Sequence, residues 1–190
     1  MGKTRLTLDA AARHFIEAQK IFFVASAPLD PAGHVNLSPK GLDSFRILSP
    51  STVAYIDFNG SGVETIAHLK ENGRIVLMFC AFQGPPNIFR LYGHGRVVEP
   101  HHREFASLAQ HFPPFEHTRS VIVVKLTRIT DSCGYGVPLF KYEGERQQLQ
   151  AWARNRGSDA LQAYRREKNR RSIDGLPGVG EPDREYKEVV

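Results

Sequence analysis

Residues 34–41 read His34-Val35-Asn36-Leu37-Ser38-Pro39-Lys40-Gly41, and Gly60-Ser61-Gly62-Val63-Glu64-Thr65 follows about twenty residues later. The first stretch is a short alternating strand that runs into Ser38, Pro39, Lys40 and Gly41. The second is a glycine-rich turn that opens a helix. A cationic side chain at a strand end, set beside the unpaired backbone N–H groups of a helix start, makes a site for a phosphate. On spacing alone the two stretches also read as ordinary turns, so the weight falls on what surrounds them.

Upstream, Thr7 reads as an N-cap, with Leu8, Ala11, Ala12, Phe15 and Ile16 at helical spacing behind it. This predicts an N-terminal helix with its apolar stripe laid on the body of the fold. Residues 21–27 are a nearly continuous apolar run ending at Pro28, a central strand, and Asp30-Pro31-Ala32-Gly33 has hairpin chemistry. Downstream, residues 45–48 and 52–57 read as strands. Residues 63–71 form a helix that stops at Asn72-Gly73. Residues 74–82 and 87–98 are expected to be the two longest strands. Pro100 opens a helix to about residue 111, and residues 120–128 form a closing strand. Several short strands at this spacing predict a mainly β fold with helices, an α+β barrel and not a βαβ sheet. After Pro138 the pattern changes to two polar helices, about 145–156 and 158–171, with an extended tail over 173–190. The expected division is a barrel domain over 1–140 and a helical basic extension with its tail over 141–190.

The 190 residues suffice for one domain with an appendage. No apolar run approaches the roughly eighteen residues that span a bilayer, so no membrane partner is expected. Met1-Gly2-Lys3-Thr4-Arg5 leads into a polar amphipathic segment and not into a signal-peptide core. Cys80 and Cys133 are the only cysteines, a usage that points to a reducing compartment, the cytoplasm. The net charge of +5 is concentrated: residues 151–171 hold seven basic side chains against two acidic ones, which equals the whole excess. Such a segment reads as a solvated helix face, with polyanion binding as the alternative; nucleic acid is not the expected partner. His101, His102, His111 and His117 surround the 100–117 stretch without zinc-ligand spacing, and no metal is expected.

Between residues 21 and 98 the order is helix end, strand, hairpin, strand with Ser38-Pro39-Lys40-Gly41, strand, glycine turn, helix, strand, Pro-Pro loop, strand. With Phe22-Phe23-Val24-Ala25, Asn72-Gly73-Arg74-Ile75 and Arg90-Leu91-Tyr92-Gly93-His94-Gly95, this succession resembles the pyridoxamine 5′-phosphate oxidase-like family, the FMN-binding split barrels. The resemblance covers roughly residues 7–130. It implies a split β-barrel, a homodimer with the flavin at the subunit interface, and FMN as cofactor. A deazaflavin is the alternative within related barrels and haem that of another branch; His34 and His94 lie near the pocket but no local motif marks an axial ligand. The flavin phosphate would lie between Lys40 and the helix start at Val63-Glu64-Thr65, with hydroxyls from Ser38 and Thr65 and amides from Gly62 to Thr65. Typical members carry Arg and Lys where Glu64 and Thr65 stand here, and a glutamate suits a phosphate site only if it points away or caps the helix. Arg90 matches a basic position near the flavin; its other reading is a barrel-rim arginine in a surface ion pair.

The resemblance implies an FMN-dependent oxidoreductase acting on an unidentified small molecule, with the hydride or electron chemistry carried by the flavin ring. No residue reads as an obligatory general acid or base, so the catalytic residues are left unassigned. The C-terminal Arg-and-His pattern of true pyridoxamine phosphate oxidases is lacking, and vitamin B6 oxidation is not expected. The alternatives are a flavin- or haem-binding carrier or sensor without turnover, and a polyanion-binding protein using the basic helices. Ser132-Cys133-Gly134-Tyr135-Gly136-Val137-Pro138 reads as a tight turn, or as a contributor to the flavin-facing cleft. The basic extension is expected to lie outside the cofactor site. The apolar runs 75–79 and 121–124 offer more hydrophobic strand than one small barrel covers, which favours a dimer.

Overall fold

Strict alternation of buried and half-buried positions along 22–26 and 75–79 gives strands with one face in a core and the other turned out. The computed structural model describes residues 4–116 and 118–180; residues 181–190 of the expected tail, and His117, lie outside them. In chain order the elements are β1 (Thr4–Arg5), α1 (Ala10–Ala18), β2 (Phe22–Ser26), β3 (Asn36–Lys40), β4 (Phe45–Ser49), β5 (Thr52–Phe58), α2 (Glu64–Asn72), β6 (Arg74–Cys80), β7 (Ile88–Val98), α3 (Phe105–Ala109), β8 (Thr118–Ser132) and α4 (Gln148–Lys168). The class is α+β, as the strand spacing predicts. The sheet runs β3-β2-β6-β7-β8-β5-β4, with β1 added on β8.

The sheet curls until its two ends face each other. Phe22 of β2 lies 5.4 Å from the ring of Phe45 on β4, and Lys40 of β3 reaches Asp57 of β5. The barrel is therefore split between β3 and β4, the two strands that end the order. Phe22, Tyr55, Phe79, Leu77, Leu91 and Ile122 fill its interior. Each of the apolar ones contributes about 1.5–3 kcal/mol by leaving water. Helix α1 closes one side with Ala12 and Ile16, and the Phe15 ring lies tilted against Phe89, centroids 5.0 Å apart. Its cap is Asp9, which accepts from Ala12 N at 2.8 Å, and not Thr7.

Three expectations change. Strand β8 is the longest at 15 residues, because it finds partners on both flanks: β7 along its length, β5 beside its first half and β1 beside its second. The helix expected from Pro100 shrinks to the 5 residues of α3, since 99–105 are spent on successive turns closed by His102 N to Glu99 O and Phe105 N to His102 O. The run Val121–Val124 is covered on both faces: Ile122 and Val124 lie in the barrel interior, while Val121 and Val123, with Ala54, Ile56 and Val98, pack under Phe105, Leu108, Phe112 and Phe115 in a second core. The two predicted polar helices appear as α4, broken at Gly157, whose φ of 71° and ψ of 170° interrupt the helix where only glycine sits without strain. Among the described residues no helix is long and apolar enough to cross a membrane.

Candidate functional site

Register places the polar residues of β3. Lys40 pairs with Phe22, Ser38 with Val24 and Asn36 with Ser26. Phe22 and Val24 face the core, so Asn36, Ser38 and Lys40 project on the same, inner side of the sheet. They form one wall of a cavity of about 420 Å³. The other wall is the connection from β5 to α2, residues 59–62, with Glu64 and Thr65 of the first helical turn; Asp57, Arg119 and Leu149 complete the lining.

The charges are gathered deep in the cavity. The Asp57 side chain, 2% exposed, accepts from Arg119 Nε at 2.8 Å and from Lys40 Nζ at 3.3 Å. Burial by itself would raise the Asp57 carboxyl, but Arg119 and Lys40 outweigh it and hold the group below the ordinary aspartate value. Two cations thus face one buried carboxylate. Tyr55 lies beneath, its ring 6.0 Å from Lys40 Nζ, and burial followed by the charge of Asp57 pushes its phenol well up. Thr65 Oγ1 accepts from Asn36 Nδ2 at 2.9 Å, leaving the hydroxyl proton to donate elsewhere. Glu64 folds back over Gly62, and its carboxylate accepts from Ile173 N at 3.4 Å. The glutamate is thereby engaged with the C-terminal chain.

The glycine turn is held from outside itself. Arg119 Nη1 donates to Gly62 O at 2.8 Å and to Gly60 O at 3.3 Å. Asn169, just past α4, donates from Nδ2 to Gly60 O at 2.9 Å and Ser61 O at 3.2 Å. Arg165 of α4 donates from Nε to Asn59 Oδ1 at 2.5 Å and from Nη2 to Thr118 O at 3.2 Å. The C-terminal extension therefore lies against the cavity, contrary to the expectation that it stands apart. Asp57, Arg119, Arg165 and Asn169 escape sequence reasoning because each is a single residue outside any motif. The one available signal is Asp57 itself, a carboxylate inside the otherwise apolar run 53–58.

Five of the expected site residues, Ser38, Lys40, Gly62, Glu64 and Thr65, line this one cavity. Val63 does not line it: its side chain is 2% exposed and packs by Gly178, while its backbone sits at the helix cap. Arg90 is not brought to the cavity. It pairs with Met78, which pairs with Phe23, the neighbour of Phe22 that faces the other way. There it donates to Ser132 Oγ at 3.0 Å. The segment after Ser132 does make a close turn: Val137 N bonds Gly134 O at 2.9 Å, and a Cβ on Gly134 would stand 2.8 Å from Asn87 N.

A curled antiparallel sheet, open between its end strands and carrying a polar cavity between an edge strand and a helix start, defines a split β-barrel. The chain belongs to the pyridoxamine 5′-phosphate oxidase family, whose model matches residues 8–133. It is similar to the pyridoxamine 5′-phosphate oxidase family protein ustO of Aspergillus flavus, 40% identical over 203 aligned positions that cover 97% of this chain and 80% of the relative. Among solved structures, HupZ of Group A Streptococcus shares the fold at 21% identity and a TM-score of 0.51, over 64% of this chain and 91% of its own. A Clostridium acetobutylicum protein related to general stress protein 26 does so at 12% identity and a TM-score of 0.51, over 65% and 86%.

Proposed function

We propose that this chain binds a flavin, with the phosphate of FMN between Lys40 and the start of α2, and acts as an oxidoreductase on a small molecule. The convergence of Lys40, Ser38, Thr65 and the glycine turn on one cavity carries this reading. The residues fit a phosphate: two cations gather at the cavity, two hydroxyls stand on opposite walls, and the carboxylate of Glu64, which also lines the cavity, is engaged by Ile173 N. A bound flavin supplies the hydride or electron transfer; the chain binds it, orients it and limits access to it.

The outer face of the sheet supports a homodimer. Phe23, Val76 and Met78 are only half-buried there, beside Tyr92 and Leu37, which are 37% and 65% exposed. Free thiols at Cys80 and Cys133 favour a cytoplasmic location. The test is the visible spectrum of the purified protein, identification of what it releases, and titration of the apoprotein with FMN and riboflavin. FMN released, and bound more tightly than riboflavin, supports the reading. A released deazaflavin reassigns the cofactor, and colourless protein that binds neither flavin overturns it. Sedimentation of the flavin-loaded protein should show a dimer at micromolar concentration.

A further inference from the structure

The barrel-facing residues at the C-terminal end recur every fourth position: Leu149, Ala153, Gly157, Leu161, Arg165 and Asn169, none of them exposed. The first four form the apolar stripe that docks a helix. The last two are polar: Asn169 lands on the glycine turn, and Arg165 on the side chain of Asn59 just before it. Arg165 is also the one residue of the seven basic ones in 151–171 that is not exposed; Arg154, Arg156, Arg166, Lys168, Arg170 and Arg171 all face solvent. Asn169 is 0% exposed, and its Oδ1 finds no partner among the described residues. An asparagine buried with half its amide unsatisfied is a poor choice for stability alone. What it does accomplish is to take the carbonyls of Gly60 and Ser61, while Arg119 takes those of Gly60 and Gly62. A trans peptide sets its N–H opposite its C=O, so the amides of Ser61, Gly62 and Val63 are turned away from these donors.

We propose that Arg165 and Asn169 are positioning residues of the phosphate site, fixing the 59–62 turn so that its amides serve the anion that Lys40 binds. The inference rests on the flavin reading above and adds the extension to the site. The segment beyond Asn169 holds the same end in place. Gly178 N and Val179 N bond Arg170 O and Asn169 O, each at 2.8 Å, and Gly178 O accepts from Lys70 of α2 at 2.6 Å. A Cβ on Gly178 would stand 2.2 Å from Asn169 O, so this return of the chain requires glycine there. Arg165 is pulled below the ordinary arginine value first by burial and then by the charge of Arg119, consistent with positive charge gathered at one place.

The experiment titrates FMN and riboflavin into the full-length apoprotein, as wild type, Arg165→Gln, Asn169→Ala and Arg166→Gln, with thermal unfolding read alongside. Both site variants should weaken FMN by about tenfold or more, with less than about a twofold change for riboflavin, which lacks the phosphate. Arg166→Gln, on the exposed side, should leave both ligands unchanged. Should Asn169→Ala fail to fold, Arg165→Lys decides: it keeps the stem and the charge but not the fork, and should show the same FMN-selective loss in smaller degree. Equal losses for FMN and riboflavin, or none for either, overturn the positioning role while leaving flavin binding intact. A wild type that binds neither flavin overturns the flavin reading and this inference with it.

Discussion

One wall of the cavity is made of side chains and the other largely of main chain. Ser38 and Lys40 project from β3, whose register is set by its five pairs with β2. Across the cavity, residues 59–62 offer backbone; Arg119 of β8 and Asn169 past the end of α4 hold that backbone, and Arg165 of α4 holds the Asn59 side chain at its start. The side-chain wall depends on one hairpin. The main-chain wall depends on segments about sixty and more than one hundred residues away. A change on the first wall removes one contact, whereas a change behind the second disturbs the wall as a whole.

Arg119→Met should have the largest effect. It leaves Asp57 buried with Lys40 and the Ser120 hydroxyl and releases the carbonyls of Gly60 and Gly62. Breaking a buried pair in this way costs about 3–5 kcal/mol, measurable by urea unfolding, and adding Asp57→Asn should return part of it. A cost within the roughly 0–1 kcal/mol of an exposed pair would show that the turn holds itself, and the contrast between the walls would collapse.

On the other wall, Lys40→Ala should weaken FMN by about ten- to hundredfold, or roughly 1.5–3 kcal/mol, and leave riboflavin nearly untouched. Equal losses for the two ligands would mean that Lys40 supports the fold or the ring. Thr65→Ala should cost about 1 kcal/mol of FMN affinity in the same titration, a neutral hydroxyl being the weaker partner.

The smallest effect is one of pH. His68 is fully buried, with Nδ1 2.9 Å from Ser26 Oγ, and burial depresses its imidazole despite the nearby carboxylates Asp174, Glu71 and Glu64. The unfolded chain then binds a proton that the native chain refuses, so stability rises with pH across that interval. The contribution is complete above about pH 6.5 and is lost as pH falls from there to the lowered native value. Asp57, also depressed, behaves alike from about pH 3.9 downward. The melting temperature should therefore fall in two stages on acidification, and His68→Gln should abolish the first.

The same contrast explains what could be read in the sequence. Strand β3 and helix α2 are announced locally, by Ser38-Pro39-Lys40-Gly41, by the glycine turn and by the Asn72-Gly73 stop, so the side-chain wall was legible. The supports of the other wall carry no local mark. Arg119 acquires its role only once β5 and β8 pair Asp57 with Ser120, a long-range register. Arg165 is hidden among seven basic residues and is told apart only by its phase on α4. Arg90 lies apart from the cavity for a related reason: alternation gives it a face but not which face belongs to the cavity. At α1, Thr7 and Asp9 are both capping types, and only Asp9 has its oxygen on Ala12 N.

Pro39 sits between Ser38 and Lys40 in β3, which ends the sheet order, and a proline has no N–H to give to a further strand. With Leu37 two residues away and 65% exposed, this margin would otherwise invite a foreign strand to add itself by main-chain pairing. The proline withholds that template. One short strand thus carries both the lysine that lines the cavity and, at Pro39, a break in the main-chain donors along the margin of the sheet.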